Sequence, residues 1–169
     1  MPDAYTAPSA ITRRSDRLAP GADALFVYGT LQFSQVLDAL LGRIPASTPA
    51  FAEHWRAAAL ERRVYPGLVP APGRTVPGLL LTDLTQDEVR ALDDFEDDAY
   101  DLRCLPLTDG RFGWAYVWPG HEVLEADWSF DRFADRHLAA YAARCASLAA
   151  ARSHRADHPE SRPWRRTGR

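Results

Sequence analysis

Residues 24–43, ALFVYGTLQFSQVLDALLGR, constrain the fold more than any other stretch of the chain. The run ALFVY is apolar, β-rich and of strand length, and Gly29 stops it. Beyond the glycine, Val36, Leu37, Leu40 and Leu41 recur at helical spacing, with Ser34 placed to cap the helix start and Gly42 to end it. A strand that turns through glycine into a helix leaves backbone N–H groups without an intrahelical partner, and the missing Cβ at Gly29 lets a ligand come close. Such a turn suits a carboxylate or a phosphate. The chain has neither GxGxxG nor GxxxxGK[ST], so nucleotide binding lacks its fingerprint, and a tight turn without a ligand stays an open reading.

Further along, strand signals fill residues 51–81, with AAALERRVYPGLVP, APGR and TVPGLLLTDL punctuated by turn residues, which predicts an antiparallel set. TQDEVRALDDFE then turns helical: Thr85 is the expected N-cap, Glu88 completes a capping box, and Val89, Leu92 and Phe95 share a face. YDLRCLPLTDGRFGWAYVWPG reads as a hairpin around Asp109-Gly110. In DWSFDRFADRHLAAYAARCASL, Phe130, Phe133, His137, Tyr141, Cys145 and Leu148 form one helical stripe, capped by Ser129 with Asp131 in its first turn. That helix is expected to brace the sheet. Residues 1–23 read as a flexible leader, 24–150 as the domain and 151–169 as an Arg-rich disordered tail.

Composition narrows the function classes. With 169 residues, 46% hydrophobic and 25% charged, the chain can bury one real core. No run of about 18 apolar residues and no signal-peptide pattern stands out, which points to the cytoplasm and away from a membrane. All twenty basic residues are arginine; 11 of them face 18 acids in residues 24–150, and six face two in residues 151–169. An acidic body argues against a nucleic-acid partner, whose phosphates need clustered cations. The tail could touch nucleic acid or an acidic partner, although a short, polar, Pro-containing terminus more commonly stays disordered. Cys104 and Cys145 are far apart and expected to be buried, with no disulfide framework or zinc ribbon.

The segment LDDFEDDAYDL, residues 92–102, sets five acids around Phe95. Glu96 lies four residues after Leu92 and seven after Val89, so it shares the apolar face, while the aspartates read as solvated charges ending a helix. Partial burial and neighbouring aspartates both disfavour its charged form and should raise its pKa, which suits a general base near neutral pH. A frayed helix end, or a structural hydrogen bond to backbone or a tyrosine hydroxyl, remains the alternative. His154 and His158 are four apart but lack metal-site company, His137 reads as a satisfied core histidine, and Cys104 has no activating base in sequence, so no metal is expected. Tyr65, Pro66, Tyr100 and Tyr116 could line an aromatic pocket.

FVYGTL at 26–31, YPGLVP at 65–70, VPGLLLTDLTQDEVRALDDFEDDAY at 76–100 and YVW at 116–118 resemble the gamma-glutamylcyclotransferase superfamily in order and spacing. Among its branches the chain is most similar to the one named for plant avirulence-induced proteins, whose late DWxFxxWxxxH helix DWSFDRFADRH resembles. The resemblance covers about residues 24–148. It implies an α+β fold, a small mixed β-barrel with peripheral helices and a C-terminal bracing helix. It also implies a small-molecule partner, a γ-glutamyl amine, whose glutamyl group is held by Tyr28, Gly29, Thr30 and Leu31, extending to Gln32 and Phe33. Glu96 would be the general acid/base and Tyr100 would line the same cavity, with no cofactor and no metal. Members often carry Gly directly after this glutamate; here Asp97 follows, a residue that tolerates left-handed backbone. Membership of this branch implies the fold more firmly than the substrate, so a catalytically silent binding domain and an Arg-tail interaction protein stand beside the enzyme.

Overall fold

A computed structural model describes residues 24–157. The leader assigned to 1–23 and residues 158–169 of the tail lie outside the described residues. Strand β1 (Leu25–Val27) leads through a 3-10 turn (Thr30–Gln32) into helix α1 (Ser34–Leu41), as the opening segment requires. Gly42 ends α1 in the left-handed region, φ 72°, where a side chain would be strained, and its N–H donates to the Asp38 carbonyl at 2.8 Å. Ser34 does not cap the helix; Phe33 takes that position, and the Ser34 hydroxyl donates to Gln35 instead.

The long strands β2 (Ser47–Leu60) and β3 (Gly67–Leu81) pair antiparallel along most of their length. The APGR segment does not divide β3 into separate strands. Register jumps from Glu53↔Thr75 to Trp55↔Pro70, so His54 alone faces residues 71–74. This is a wide irregularity, accommodated by positive φ at His54 and Gly73 and held by a 3.1 Å bond from the Gly73 N–H to His54 Nδ1. Helix α2 (Gln86–Phe95) starts with the expected capping box: Thr85 Oγ1 accepts from the Glu88 N–H at 3.2 Å, and the Thr85 N–H donates to the Glu88 carboxylate at 2.9 Å. Arg43 donates to both Glu88 oxygens, at 2.5 and 2.7 Å, and so ties the end of α1 to the start of α2.

Strands β4 (Asp101–Pro106) and β5 (Phe112–Val117) form the hairpin around Gly110, followed by β6 (Val123–Asp127), α3 (Phe130–Arg136) and α4 (Leu138–Asp157). The sheet order is β4-β5-β1-β3-β2-β6. β5 runs parallel to both β1 and β3, which curls the six strands into a half-barrel with β4 and β6 at its edges. β1 is buried on both faces: Leu25 and Val27 join the core that includes the helices, while Phe26 and Tyr28 join a second core across the sheet.

The expected single C-terminal stripe is broken. α3 ends at His137, whose φ of −126° and ψ of −25° depart from helix, and α4 restarts at Leu138. His137 is therefore exposed rather than a core histidine, and Phe130 and Leu148 are exposed as well. α4 packs chiefly on α1, and Tyr141 and Cys145 carry its buried face. It runs through Asp157, seven residues beyond position 150, and Arg152 pairs with Asp94 at 3.3 Å and donates to the Ala91 carbonyl at 3.0 Å. Cys104 is exposed, because β4 is an edge strand with one partner and few inward positions. No helix among the described residues is long and apolar enough to cross a membrane.

Leu92, fully buried on α2, anchors the helix that precedes Glu96. Leu92→Ala is expected to cost roughly 2 to 5 kcal/mol, and Thr85→Ala about 1 kcal/mol, both measured by urea unfolding. Equal losses from the two changes would contradict this division between core and cap.

Candidate active site

Two chain segments that each leave regular structure meet here. The first is the turn after β1. Gly29 sits at φ −125° and ψ −131°, so positive φ is not what demands glycine. A Cβ there would lie 2.6 Å from Pro66 Cγ, and the ring of Pro66 occupies the room that a ligand was expected to use. The N–H groups of Thr30 and Leu31 open the 3-10 turn, positions that have no acceptor within a helix.

The second segment is the end of α2. Glu96 is not a helical residue: its N–H still donates to the Leu92 carbonyl at 3.1 Å, but its φ of −68° and ψ of 149° turn the chain away. The next turn is closed by Asp97, whose side chain accepts from the Ala99 N–H at 2.9 Å and whose carbonyl accepts from the Tyr100 N–H at 3.1 Å. Asp97 does not adopt positive φ, so the turn needs no left-handed residue.

Together the segments bound a small recess of about 20 Å³, lined by residues 26–31, Tyr65, Pro66, Glu96, Tyr100 and Tyr116. Of the expected binding residues, Tyr28, Gly29, Thr30, Leu31 and Tyr100 line it with Glu96. Gln32 lines a different hollow of about 240 Å³ with Arg56, Arg74 and Trp128, and Phe33 is buried against Phe130, ring centroids 4.2 Å apart. The recess adjoins a wider hollow of about 210 Å³, lined by Tyr65, Phe95, Glu96, Asp97, Tyr141 and Arg144. Glu96 and Tyr65 belong to both, so the carboxylate stands at the junction.

Every tyrosine among the described residues borders one of these two spaces, and the hydroxyls are committed. Tyr28 donates to the Tyr116 carbonyl at 2.5 Å and accepts from the Leu68 N–H at 3.1 Å; Tyr100 donates to the Pro66 carbonyl at 2.5 Å. Tyr65 donates to Asp97 at 2.6 Å and Tyr116 to Asp93 at 3.1 Å, while Tyr141 and Thr30 share a 3.4 Å contact. Two aspartates expected as solvated charges are thus part of the interior. Asp93 is only 3% exposed and Asp97 is half-buried, because tyrosine hydroxyls supply the hydrogen bonds that water would otherwise give. Asp94 and Asp98 do remain on the surface.

Burial, then the charges of Asp93 and Asp97, push the Glu96 carboxyl from its ordinary 4.5 up to about 8. Burial first, and the Glu96 charge second, holds Tyr28 well above the usual phenol range, and burial does the same for Tyr100 and Tyr141. The Asp97 carboxyl is held down, chiefly by the Tyr65 hydroxyl. The arrangement therefore offers one group that exchanges a proton near neutral pH, surrounded by hydroxyls that keep theirs. Tyr141 was visible only as part of a core stripe, and Arg144 left no sequence signal, since nothing in periodicity connects α4 to the end of α2.

The curled six-stranded sheet with its flanking helices is the architecture of a known fold. The chain is similar to a solution structure from Arabidopsis thaliana at a TM-score of 0.55, 17% identity, with 86% of this chain and 94% of that one covered. It is similar to a solved gamma-glutamyl cyclotransferase at a TM-score of 0.52, 13% identity, covering 86% and 91%. The family model described as gamma-glutamyl cyclotransferase, AIG2-like, matches residues 25–130, and the chain belongs to that family. Among curated relatives, AIG2-like protein D of Arabidopsis thaliana is 32% identical over 68% of this chain and 81% of its own length. AIG2-like protein C from the same plant is 35% identical over 64% and 67%.

The raised pKa makes Glu96 a stability liability at high pH. Its carboxyl is neutral in both folded and unfolded chains below about 4.5; between there and about 8 only the unfolded chain releases the proton, so folding weakens as pH rises. Glu96→Gln removes that dependence. Its stability gain over wild type, read from thermal unfolding, is expected to grow between these two pH values and to level off above them. A gain that is constant with pH would show that the carboxyl is not shifted.

Proposed function

We propose that the chain is a cyclotransferase acting on γ-glutamyl amines, releasing 5-oxoproline and a free amine. The observation that carries this reading is a carboxyl raised to about 8 at the junction of the recess and the wider hollow. A chain-terminal α-amine titrates at about 7.7–8.0 and the substrate α-ammonium, beside its own carboxylate, lies above that, so a carboxyl raised to about 8 takes its proton at far smaller cost than an ordinary carboxylate would. A carboxylate with the ordinary pKa would be too weak a base for the same transfer.

In this reading the glutamyl group lies along Tyr28, Gly29, Thr30 and Leu31, with the N–H groups of Thr30 and Leu31 as donors and Tyr100 closing the wall. Glu96 takes a proton from the α-ammonium. The freed amine nitrogen attacks the substrate's own γ-carbonyl carbon, forming the C–N bond of a five-membered lactam. Collapse of the tetrahedral intermediate breaks the bond from that carbon to the leaving nitrogen, which receives the proton back from Glu96. As the lactam forms, the attacking nitrogen gives up a second proton to solvent and the expelled amine takes one up to leave as its ammonium, so charge and protons balance with Glu96 relaying the first proton both ways. Because both reacting groups are on one molecule, holding the glutamyl chain in its bent form supplies much of the acceleration.

The small volume of the recess supports a second reading, a domain of the same fold that binds a carboxylate or amine without turning it over. The two separate cleanly. For the enzyme, 5-oxoproline is expected from a panel of γ-glutamyl amines by mass spectrometry, and Glu96→Gln folds but loses roughly 10²–10⁴ in kcat. Its kcat/KM rises as pH approaches about 8, since below that value the base is already protonated. Thermal-shift binding with no 5-oxoproline from any member, or full activity in Glu96→Gln, would overturn the reaction proposed.

A further inference from the structure

The hollow on the open side of Glu96 has a wall that the family-matched segment does not build. The match ends at residue 130, whereas Tyr141 and Arg144 come from α4. That helix is held against α2 at two levels. Tyr141 contacts Phe95 edge-to-face, centroids 6.0 Å apart, and Thr30 at 3.4 Å; farther along, Arg152 is fixed to Asp94 and the Ala91 carbonyl. Arg144 lies between these anchors, so the backbone that carries it is fixed relative to Glu96.

The charges around the hollow are unequally committed. Asp97 accepts from the Tyr65 hydroxyl and the Ala99 N–H and faces Arg63 at 3.9 Å, which in turn pairs with Glu122 at 2.5 Å. Glu96 is largely neutral at pH 7. Arg144, the cation lining the hollow, makes no ion pair with another described residue; its guanidinium sits 5.4 Å from the centroid of the Tyr141 ring. An exposed guanidinium over an aromatic ring at the edge of a hollow, outside any ion pair among the described residues, is placed to receive an anion there.

Resting on the cyclotransferase reading, we propose that Arg144 is a specificity residue that selects leaving amines bearing an anionic group, such as a carboxylate, over neutral and cationic ones. With the glutamyl chain along the Tyr28–Leu31 turn, the leaving part extends past Glu96 into the wider hollow, which shares Glu96 and Tyr65 with the recess. There it meets Arg144. A cationic amine meets the same charge as a repulsion.

Three probes of nearly equal size test this: γ-glutamyl-glycine, γ-glutamyl-glycinamide and the γ-glutamyl amide of ethylenediamine. Wild type is expected to prefer them in that order in kcat/KM for 5-oxoproline release. Arg144→Gln should shrink the preference for the glycine compound over the glycinamide by roughly three- to tenfold, Arg144→Glu should reverse the order, and added salt should weaken the wild-type preference. A uniform loss on all three probes, which contact with the α-carboxylate of the glutamyl group would produce, overturns the selectivity, as does an unchanged order in Arg144→Glu. If wild type turns over none of them, the reaction proposed above fails on its own. Calorimetric binding of the same probes then decides: an Arg144-dependent preference for the glycine compound upholds the selection, and equal binding overturns it.

Discussion

Keeping the Glu96 carboxyl short of water while two aspartates stand beside it is the constraint on which the rest of the site depends. A buried acid normally gains a hydrogen-bond donor or a cation to lower the cost of its charge. Here the donors go elsewhere. Tyr116 gives its hydroxyl to Asp93 and Tyr65 gives its own to Asp97, which holds the Asp97 carboxyl down, while Glu96 is left as the group whose proton is held more tightly. The tyrosines thus act less as a wall than as a means of distributing charge. Removing the Tyr65 hydroxyl would act on Glu96 through Asp97, without any contact between the tyrosine and the proton itself.

That distribution requires the backbone to stay still, and the fold meets the requirement with close approaches of chain to chain. Pro66 fills the space above Gly29, and a Cβ at Gly67 would stand 2.7 Å from Trp118. The carbonyl of Pro66 accepts from Tyr100, and the N–H of Leu68 donates to Tyr28. Three consecutive residues at the start of β3 are therefore fixed by two tyrosines, a proline ring and an indole. The two glycines serve packing rather than conformational freedom, since neither needs a positive φ. These close approaches tie the start of β3 to the turn after β1 and to Tyr100.

Features set by a few adjacent residues were legible in the chain alone. The capping box of Thr85 and Glu88, the glycine that ends α1 and the hairpin at Gly110 depend on local hydrogen bonds, so their residue types announce them. The family resemblance and the partial burial of Glu96 were legible too, although periodicity placed Glu96 on the helix and the structure places it one residue past the end. What was hidden depends on distant partners. Asp93 and Asp94 are alike as letters, yet Tyr116, twenty-three positions away from Asp93, makes one of them interior. The break at His137 interrupts an unbroken apolar stripe, and the irregularity at residues 71–74 needs His54 on the opposite strand.

The same distinction divides the site itself. The turn, the glutamate and the tyrosines of the sheet lie within the segment that defines the family, and they set the electrostatics of the recess. The outer wall is built by α4, beyond that segment, and α4 is joined to the family-matched part by contacts at Thr30, Phe95 and Asp94. Tyr141 has a foot in each part: its hydroxyl meets the turn, while its ring carries the Arg144 guanidinium. A change in the outer wall can therefore alter what is admitted while leaving the proton on Glu96 where burial and its two aspartates put it. Arg144 stands in that outer wall, whereas burial, Asp93 and Asp97 are what push the Glu96 carboxyl up.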